Sequence, residues 1–371
     1  MSEEAPADVR VIAGSSSWIE GEAVRQLEAC ARLPGMRLAV GLPDLHPGRG
    51  HPIGAAFLSE GHVHPHLVGG DIGCGMTLLR TGVPARKAKR DVWAKRVRAL
   101  GEPWDEDVAA LLEEHGLPAG DHDLALGTVG GGNHFAELQV VESIADAEAC
   151  GRLGIDGAEV LLLVHSGSRG LGQAILDRHV RAHAGGALAV PSADADAYLA
   201  AHDGAVRWAR ANRAAIARRV GEAIGADLER VIDVCHNSVT PHGAGLLHRK
   251  GAAPHDEGPV PIPGSRGTYT YLVAPVGDGA RCGWSLAHGA GRKYTRGDAR
   301  KRIRERFRAS ELRQTPIGSV VVCDDKDLLY EEAPAAYKDV DAVVQDLVDA
   351  GVARVLAVTR PLVTYKVAGG D

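Results

Sequence analysis

Five apolar runs of strand length, at residues 161–164, 231–235, 269–273, 319–323 and 355–358, each give way to a loop of polar residues. A chain built this way must bury the runs in β-sheet and gather the loops at sheet edges, where side chains from distant positions converge. The beginning adds a strand pattern at 9–13, an amphipathic helix pattern at 19–33 and a second strand pattern at 36–41. Helical periodicity returns at 85–112 and, rich in Ala and Arg, at 193–230. No Pro/Ser-rich linker or internal repeat divides the 371 residues, although a domain prior of about 150 residues would allow two or three units. The expected fold is α+β: one large domain over 1–371, with central β-sheets in a sandwich-like core flanked by helices and a helical excursion at 185–230.

From 44 to 80, glycines, histidines and short β-branched runs alternate, as short strands joined by tight turns require. Asp71 and Cys74 stand three residues apart there, among Gly70, Gly73 and Gly75, so a bent backbone can aim both at one cation. Three further strand-to-loop junctions carry a histidine: His134 after three glycines and Asn133, His165 after the 161–164 run, and His236 after the 231–235 run. One carboxylate, one thiolate and three imidazoles suffice for two divalent ions if the thiolate bridges them. Taken singly, a cysteine is usually a small buried hydrophobe and a histidine a hydrogen-bonded structural residue. Their shared placement at strand ends favours the metal reading.

Ser285-Leu-Ala-His288-Gly289-Ala290-Gly291-Arg292 offers a different element. An imidazole nitrogen is a competent nucleophile toward phosphorus, glycines let backbone N–H groups approach phosphate, and arginine neutralises developing charge. A helix-start turn with a structural histidine is the plainer alternative. The H-x-H-x-H run at His62, His64 and His66 has the spacing of a histidine triad, but Pro65 argues against the strand that would align it.

Composition removes other classes. Aromatics make up only 4%, so stacking platforms for nucleic acid are poorly supported, and the net charge of −6 requires any positive potential to be local. The six cysteines are single, without a CxxC pair, which speaks against a zinc ribbon or a secreted disulfide framework. The acidic start, MSEEAPADVR, lacks an apolar core, and no run reaches the roughly 20 apolar residues of a membrane span. A reducing cytoplasm is the expected location.

In order along the chain stand D-x-H-x-G-x-G-x-P-I-G at 44–54, D-I-G-C-G-M at 71–76, G-N-H-F-x-E at 132–137, H-S-G-S-R at 165–169, H-N at 236–237, R-K-G-A at 249–252, G-S-x-G-T at 264–268, H-G-A-G-R at 288–292 and Lys366. This series closely resembles the RtcB-type RNA ligases over nearly the whole chain. The resemblance implies two manganese ions held by Asp71, Cys74, His134, His165 and His236, and His288 as a guanylylated nucleophile. It also implies a GTP pocket that includes Asn133, Glu137, Ser265, Gly267, Gly289, Ala290, Gly291, Arg292 and Lys366. A carboxylate there can accept from guanine N1–H and N2–H and a lysine can donate to O6. The implied partner is RNA with a 3′-phosphate or 2′,3′-cyclic phosphate and a 5′-hydroxyl end, with neither DNA nor membrane.

Three departures bear on RNA-end preference: Arg266 stands where the family usually has methionine, the segment after Asn237 lacks its usual acidic residue, and the chain is short. They suit a specialised repair branch. Residues 292–308 hold nine Lys or Arg against two acidic residues; they either track RNA phosphates or form a solvated helix face, as do Arg207, Arg210 and Arg213. The residues alone also suit a metal-dependent phosphohydrolase or a non-catalytic RNA-end-binding protein.

Overall fold

The structure, a computed structural model, describes residues 7–14, 17–102, 104 and 108–367. Residues 1–6 of the acidic start, and 103 and 105–107 within the 85–112 helical expectation, lie outside the described residues.

The fold is α+β, with mixed sheets flanked by helices. The larger sheet runs Val260–Pro263, Thr270–Pro275, Ala353–Val367, Phe135–Ile144, Glu159–Ser166, Gly75–Pro84, Glu229–Cys235; Val320–Cys323 joins it parallel to the last part of Ala353–Val367. The smaller orders Asp8–Val11, Met36–His46, Ile53–Ser59, Gly245–Lys250 and Asn237–His242, with only its first pair parallel.

The 161–164 run shows how the larger sheet is buried. Val160, Leu162 and Val164 pack with Ile216, Ala217, Val220 and Ile224 of the long helix Ala193–Ile224. Leu161 and Leu163 pack with Ile155, Leu272 and Leu356. Successive strand residues face opposite ways, so covering both faces requires an unbroken apolar run. The smaller sheet is likewise covered, by Val343 and Leu347 of helix Val340–Asp349 against Val40 and Leu42, and by Ala23 and Leu27 of helix Gly21–Cys30 against Ala39 and Phe57.

Several boundaries differ from the sequence pattern. The 193–230 helix stops at Ile224, because Gly225 turns left-handed (φ 71°) and caps it. The 85–112 stretch divides into the short helices Arg90–Arg96 and Val108–Glu114 with 3-10 turns at Ala85–Lys87 and Val97–Gly101. The 355–358 run belongs to a strand of 15 residues, Ala353–Val367, whose register shifts between Pro361 and Val363; the irregularity admits a proline that the apolar pattern reads as a stop. His62–Val63 is a two-residue strand followed by the Pro65–Leu67 turn, so His62, His64 and His66 form no strand face. No helix among the described residues is long and apolar enough to cross a membrane.

Arg213 corrects the reading of the Ala-rich helix. Three residues advance a helix by roughly 300°, so the series 207, 210, 213 drifts around the axis. Arg207 and Arg210 stay exposed, whereas Arg213 is fully buried. Its guanidinium donates to Thr77 Oγ1 (3.1 Å), Asp233 Oδ1 (3.1 Å from Nε) and the carbonyls of Gly73 (2.9 Å) and Ser166 (3.1 Å). Removing one partner of a buried pair leaves the other uncompensated, at a cost of about 3–5 kcal/mol. Arg213→Ala should therefore lower the urea unfolding free energy by about that much, while Arg210→Ala should change it by no more than about 0.5 kcal/mol.

Candidate metal and nucleotide site

Strand direction decides where the ligand-type side chains go. Phe135–Ile144, Glu159–Ser166, Gly75–Pro84 and Glu229–Cys235 are antiparallel neighbours. The first and third begin, and the second and fourth end, at the same sheet edge. Phe135 and Met76 flank His165, and Gly75 lies opposite Cys235. His134, Cys74 and His236 adjoin these paired residues, so the register delivers them to one place. Gly73 (φ 76°) lets the Asp71–Cys74 loop lie against the long helix; a Cβ there would fall 2.7 Å from the Ala209 Cβ.

Cys74 Sγ is 3.2 Å from His134 Nε2 and 3.3 Å from His165 Nε2. Asp71 Oδ2 is 3.0 Å from His134 Nε2, and His165 Nε2 is 3.2 Å from His236 Nε2. Two groups result, Asp71/Cys74/His134 and Cys74/His165/His236, each with ligand atoms within 4.8 Å of one another. Cys74 belongs to both, as a bridging thiolate must. Burial holds His165 and His236 well below the usual imidazole range, so both are neutral with lone pairs to give. Two Nε2 lone pairs facing each other at 3.2 Å need a proton or a cation between them. Burial would raise the Asp71 carboxyl, but its neighbours, His134 first among them and Cys74 after it, together hold it at about 2. Burial and then Asp71 push the Cys74 thiol well up; a divalent cation is the agent that reverses this. The donor set fits a metal pair, and a thiolate with imidazoles suits zinc as well as manganese.

His288 comes from a separate two-stranded sheet, just after strand Ser285–Ala287, which pairs with Ala252–Pro254. Asp44 Oδ2, on the completely buried Asp44 of strand Met36–His46, accepts from the His288 backbone N–H (3.2 Å) and ring Nδ1 (2.7 Å). Donating Nδ1–H leaves Nε2 with its lone pair. The ring centroid stands 4.8 Å from that of His236. Gly291 (φ 71°) is required here, since a Cβ would sit 2.3 Å from the Asp44 carbonyl. Sequence reasoning gave Asp44 and His46 no role, although both stand in the quoted D-x-H block. His46 lines the cleft, with Nδ1 2.8 Å from the Asp44 carbonyl and burial pulling it down to about 4.

Beside His288 opens a cleft. Asn133, Glu137, Ser265, Gly289, Ala290, Gly291, Arg292 and Lys366 line it with His165 and His288; Gly267 does not. Gly267 (φ 81°) instead turns the chain behind Ser265, against Thr315. Burial raises Glu137 to about 7, against bonds from Thr364 Oγ1 and Gln139 Nε2 (2.7 Å), and lowers Lys366 to about 8. Buried Glu332, absent from the sequence reading, anchors this end. It accepts from Arg292 Nη1 (2.9 Å) and the Tyr337 hydroxyl, and lies 3.9 Å from Lys366 Nζ. Arg292, expected to meet phosphate, spends its N–H groups on Glu332, Tyr337 and the carbonyls of Glu331 and Tyr294.

A thiol common to two donor groups among imidazoles, an imidazole bonded to a buried carboxylate and a cleft edged by buried charges are equipment suited to metal-assisted group transfer at phosphorus. Comparison with known proteins narrows the class. The family model described as tRNA-splicing ligase RtcB matches residues 26–114 and 105–367; the chain belongs to the RtcB family. It is 48% identical to RNA-splicing ligase RtcB2 of Escherichia coli, over 98% of this chain and 96% of that one. It is 32% identical to RNA-splicing ligase RtcB of Mycobacterium tuberculosis, over 91% and 99%. With tRNA-splicing ligase RtcB of Thermococcus kodakarensis it shares 31%, over 91% and 90%.

Cys74→Ala should remove most bound metal, because one thiolate serves both ligand groups, yet leave folding nearly intact, because little volume is lost. Elemental analysis of purified wild type and variant, alongside their melting curves, checks this; unchanged metal stoichiometry would exclude a bridging role.

Proposed function

We propose that this protein is a GTP- and Mn2+-dependent RNA ligase that joins a 3′-phosphate or 2′,3′-cyclic phosphate end to a 5′-hydroxyl end. The observation that carries the reading is the Asp44-held imidazole of His288, set between the ligand cluster and the cleft. Its Nε2 attacks the α-phosphorus of GTP and pyrophosphate leaves. An RNA 3′-phosphate oxygen then takes the guanylate from His288, and a 5′-hydroxyl displaces GMP to form the phosphodiester. A cyclic phosphate is first opened by water.

Asp71, Cys74, His134, His165 and His236 would hold the two ions, which supply charge neutralisation at the transferring phosphate. Glu137 and Lys366 would take the guanine, Asn133, Ser265 and the 289–292 loop the rest of the nucleotide. The chain would act as one unit over 1–371, in the cytoplasm, in RNA repair or tRNA processing.

Incubation with α-labelled GTP and Mn2+, followed by denaturing electrophoresis, is the direct test. Wild type should carry a label that is lost in acid and survives alkali, as a histidine phosphoramidate does. His288→Gln should show none while keeping its metal. Ligation by the variant, or an acid-stable label, would sink the covalent route through His288, whereas a wild type that takes no label would favour a phosphohydrolase using the same ligands.

The cleft charges add a pH dependence. Glu137 must be ionised to accept from guanine, which happens as pH rises through about 7. Lys366 must be protonated to donate, which it ceases to be above about 8. GTP binding, followed by calorimetry, should strengthen up to that interval and weaken beyond it; Glu137→Gln should erase the acid limb only.

A further inference from the structure

One buried cation of the cleft has no task in the scheme above, and the inference drawn from it rests on that scheme. Arg266 is only 5% exposed and lines the cleft with Glu137, Glu332 and Lys366. Its Nη2 donates to the Leu329 carbonyl, while Nε and Nη1 have no partner among the described residues. The side chain is held from behind, in a turn where the Ser265 N–H donates to Thr268 Oγ1 (2.7 Å) and Gly267 adopts φ 81°. Buried guanidinium donors without acceptors are costly and rare. Two of them on one cleft-lining side chain call for a ligand that brings acceptors.

The neighbours specify which acceptors. Lys366 is near enough for Arg266 to act on it as a like charge, and two buried cations side by side favour an electron-rich edge between them. Guanine offers such an edge, O6 and N7 both accepting, whereas adenine pairs its N7 with an N6–H2 donor. Glu137, on the same cleft, suits the opposite N1–H and N2–H edge. We propose that Arg266 donates to guanine N7, sharing the acceptor edge with Lys366, so that the cleft reads both edges of the base. Methionine has no N–H to give, so Arg266→Met removes this contact while keeping a side chain of similar length.

The test is equilibrium binding of GTP and of 7-deaza-GTP, in which N7 is replaced by C–H, to the full chain. Wild type should bind GTP on the order of tenfold more tightly than 7-deaza-GTP, the effect of one hydrogen bond to a charged donor. Arg266→Met should bind both at the weaker level, and Arg266→Lys, which keeps a donor, should retain part of the difference. Equal binding of the two nucleotides by wild type overturns the role of Arg266 and leaves the ligase reading intact. So does an Arg266→Met variant that loses the same factor with both, which would assign the side chain to phosphate or to folding. Should Arg266→Met fail to fold, the wild-type comparison still decides. Failure of wild type to bind either nucleotide overturns the ligase reading and this one together.

Discussion

The buried guanidinium of Arg213 is the contact on which the ligand cluster depends. It takes the Gly73 carbonyl beside Cys74, the Ser166 carbonyl beside His165, and Asp233, three residues before His236. One side chain of the long helix thus ties the three chain segments that carry Cys74, His165 and His236. A charge with no exposure survives in the core only when such acceptors surround it. Asn212, the next residue back, extends the clamp by donating to the Thr128 and Gly167 carbonyls and to Ser166 Oγ. The helix is therefore a rigid backing for the sheet edge, which is what ligand atoms converging within a few ångströms need.

The cleft is organised by the opposite device, a buried anion. Glu332 gathers Arg292, Tyr337 and Lys366, and the positive charge around it holds the carboxylate below its ordinary range despite burial, which acts the other way. Arg292 is thereby fixed as a brace for the His288 loop. Arg266 sits within reach of the same anion but keeps two donors unspent, so cation donors exceed anion acceptors on this wall. An electron-rich ligand edge makes up the difference.

How much of this could be read from the sequence follows from what each feature needs. The convergence of Cys74, His134, His165 and His236 was legible because each stands at a strand-to-loop junction, and antiparallel registry carries such junctions to one edge. The 161–164 run was legible because burial on both faces leaves no polar alternation to confuse it. Asp44 was not: its partner is 244 positions away, and a carboxylate inside a strand has no local mark of its role. Glu332 and Tyr337 lie in a segment without glycine or motif, and only the fold brings them to Lys366. Arg213 was misread because three-residue spacing suggests a common face when the helix has already turned it inward. The end of the 353–367 strand was hidden by Pro361, which a shift in register accommodates.

The two sheets divide the labour, and the division has a consequence for how the site holds together. The ligand cluster belongs to the larger sheet, whereas Asp44, which orients His288, belongs to the smaller one. They meet at His236 and Asn237, where the chain passes directly from Glu229–Cys235 into Asn237–His242. Asn237 is bonded both ways: its Nδ2 donates to the Asp71 carbonyl (3.1 Å), and its Oδ1 accepts from the Gly251 N–H (2.6 Å). Gly251 lies against His288, with a Cβ there falling 2.9 Å from the ring. A single amide side chain thus connects the loop that carries Asp71 to the wall beside His288. The 4.8 Å separation of the His236 and His288 rings therefore depends on how the two sheets pack together rather than on either motif alone.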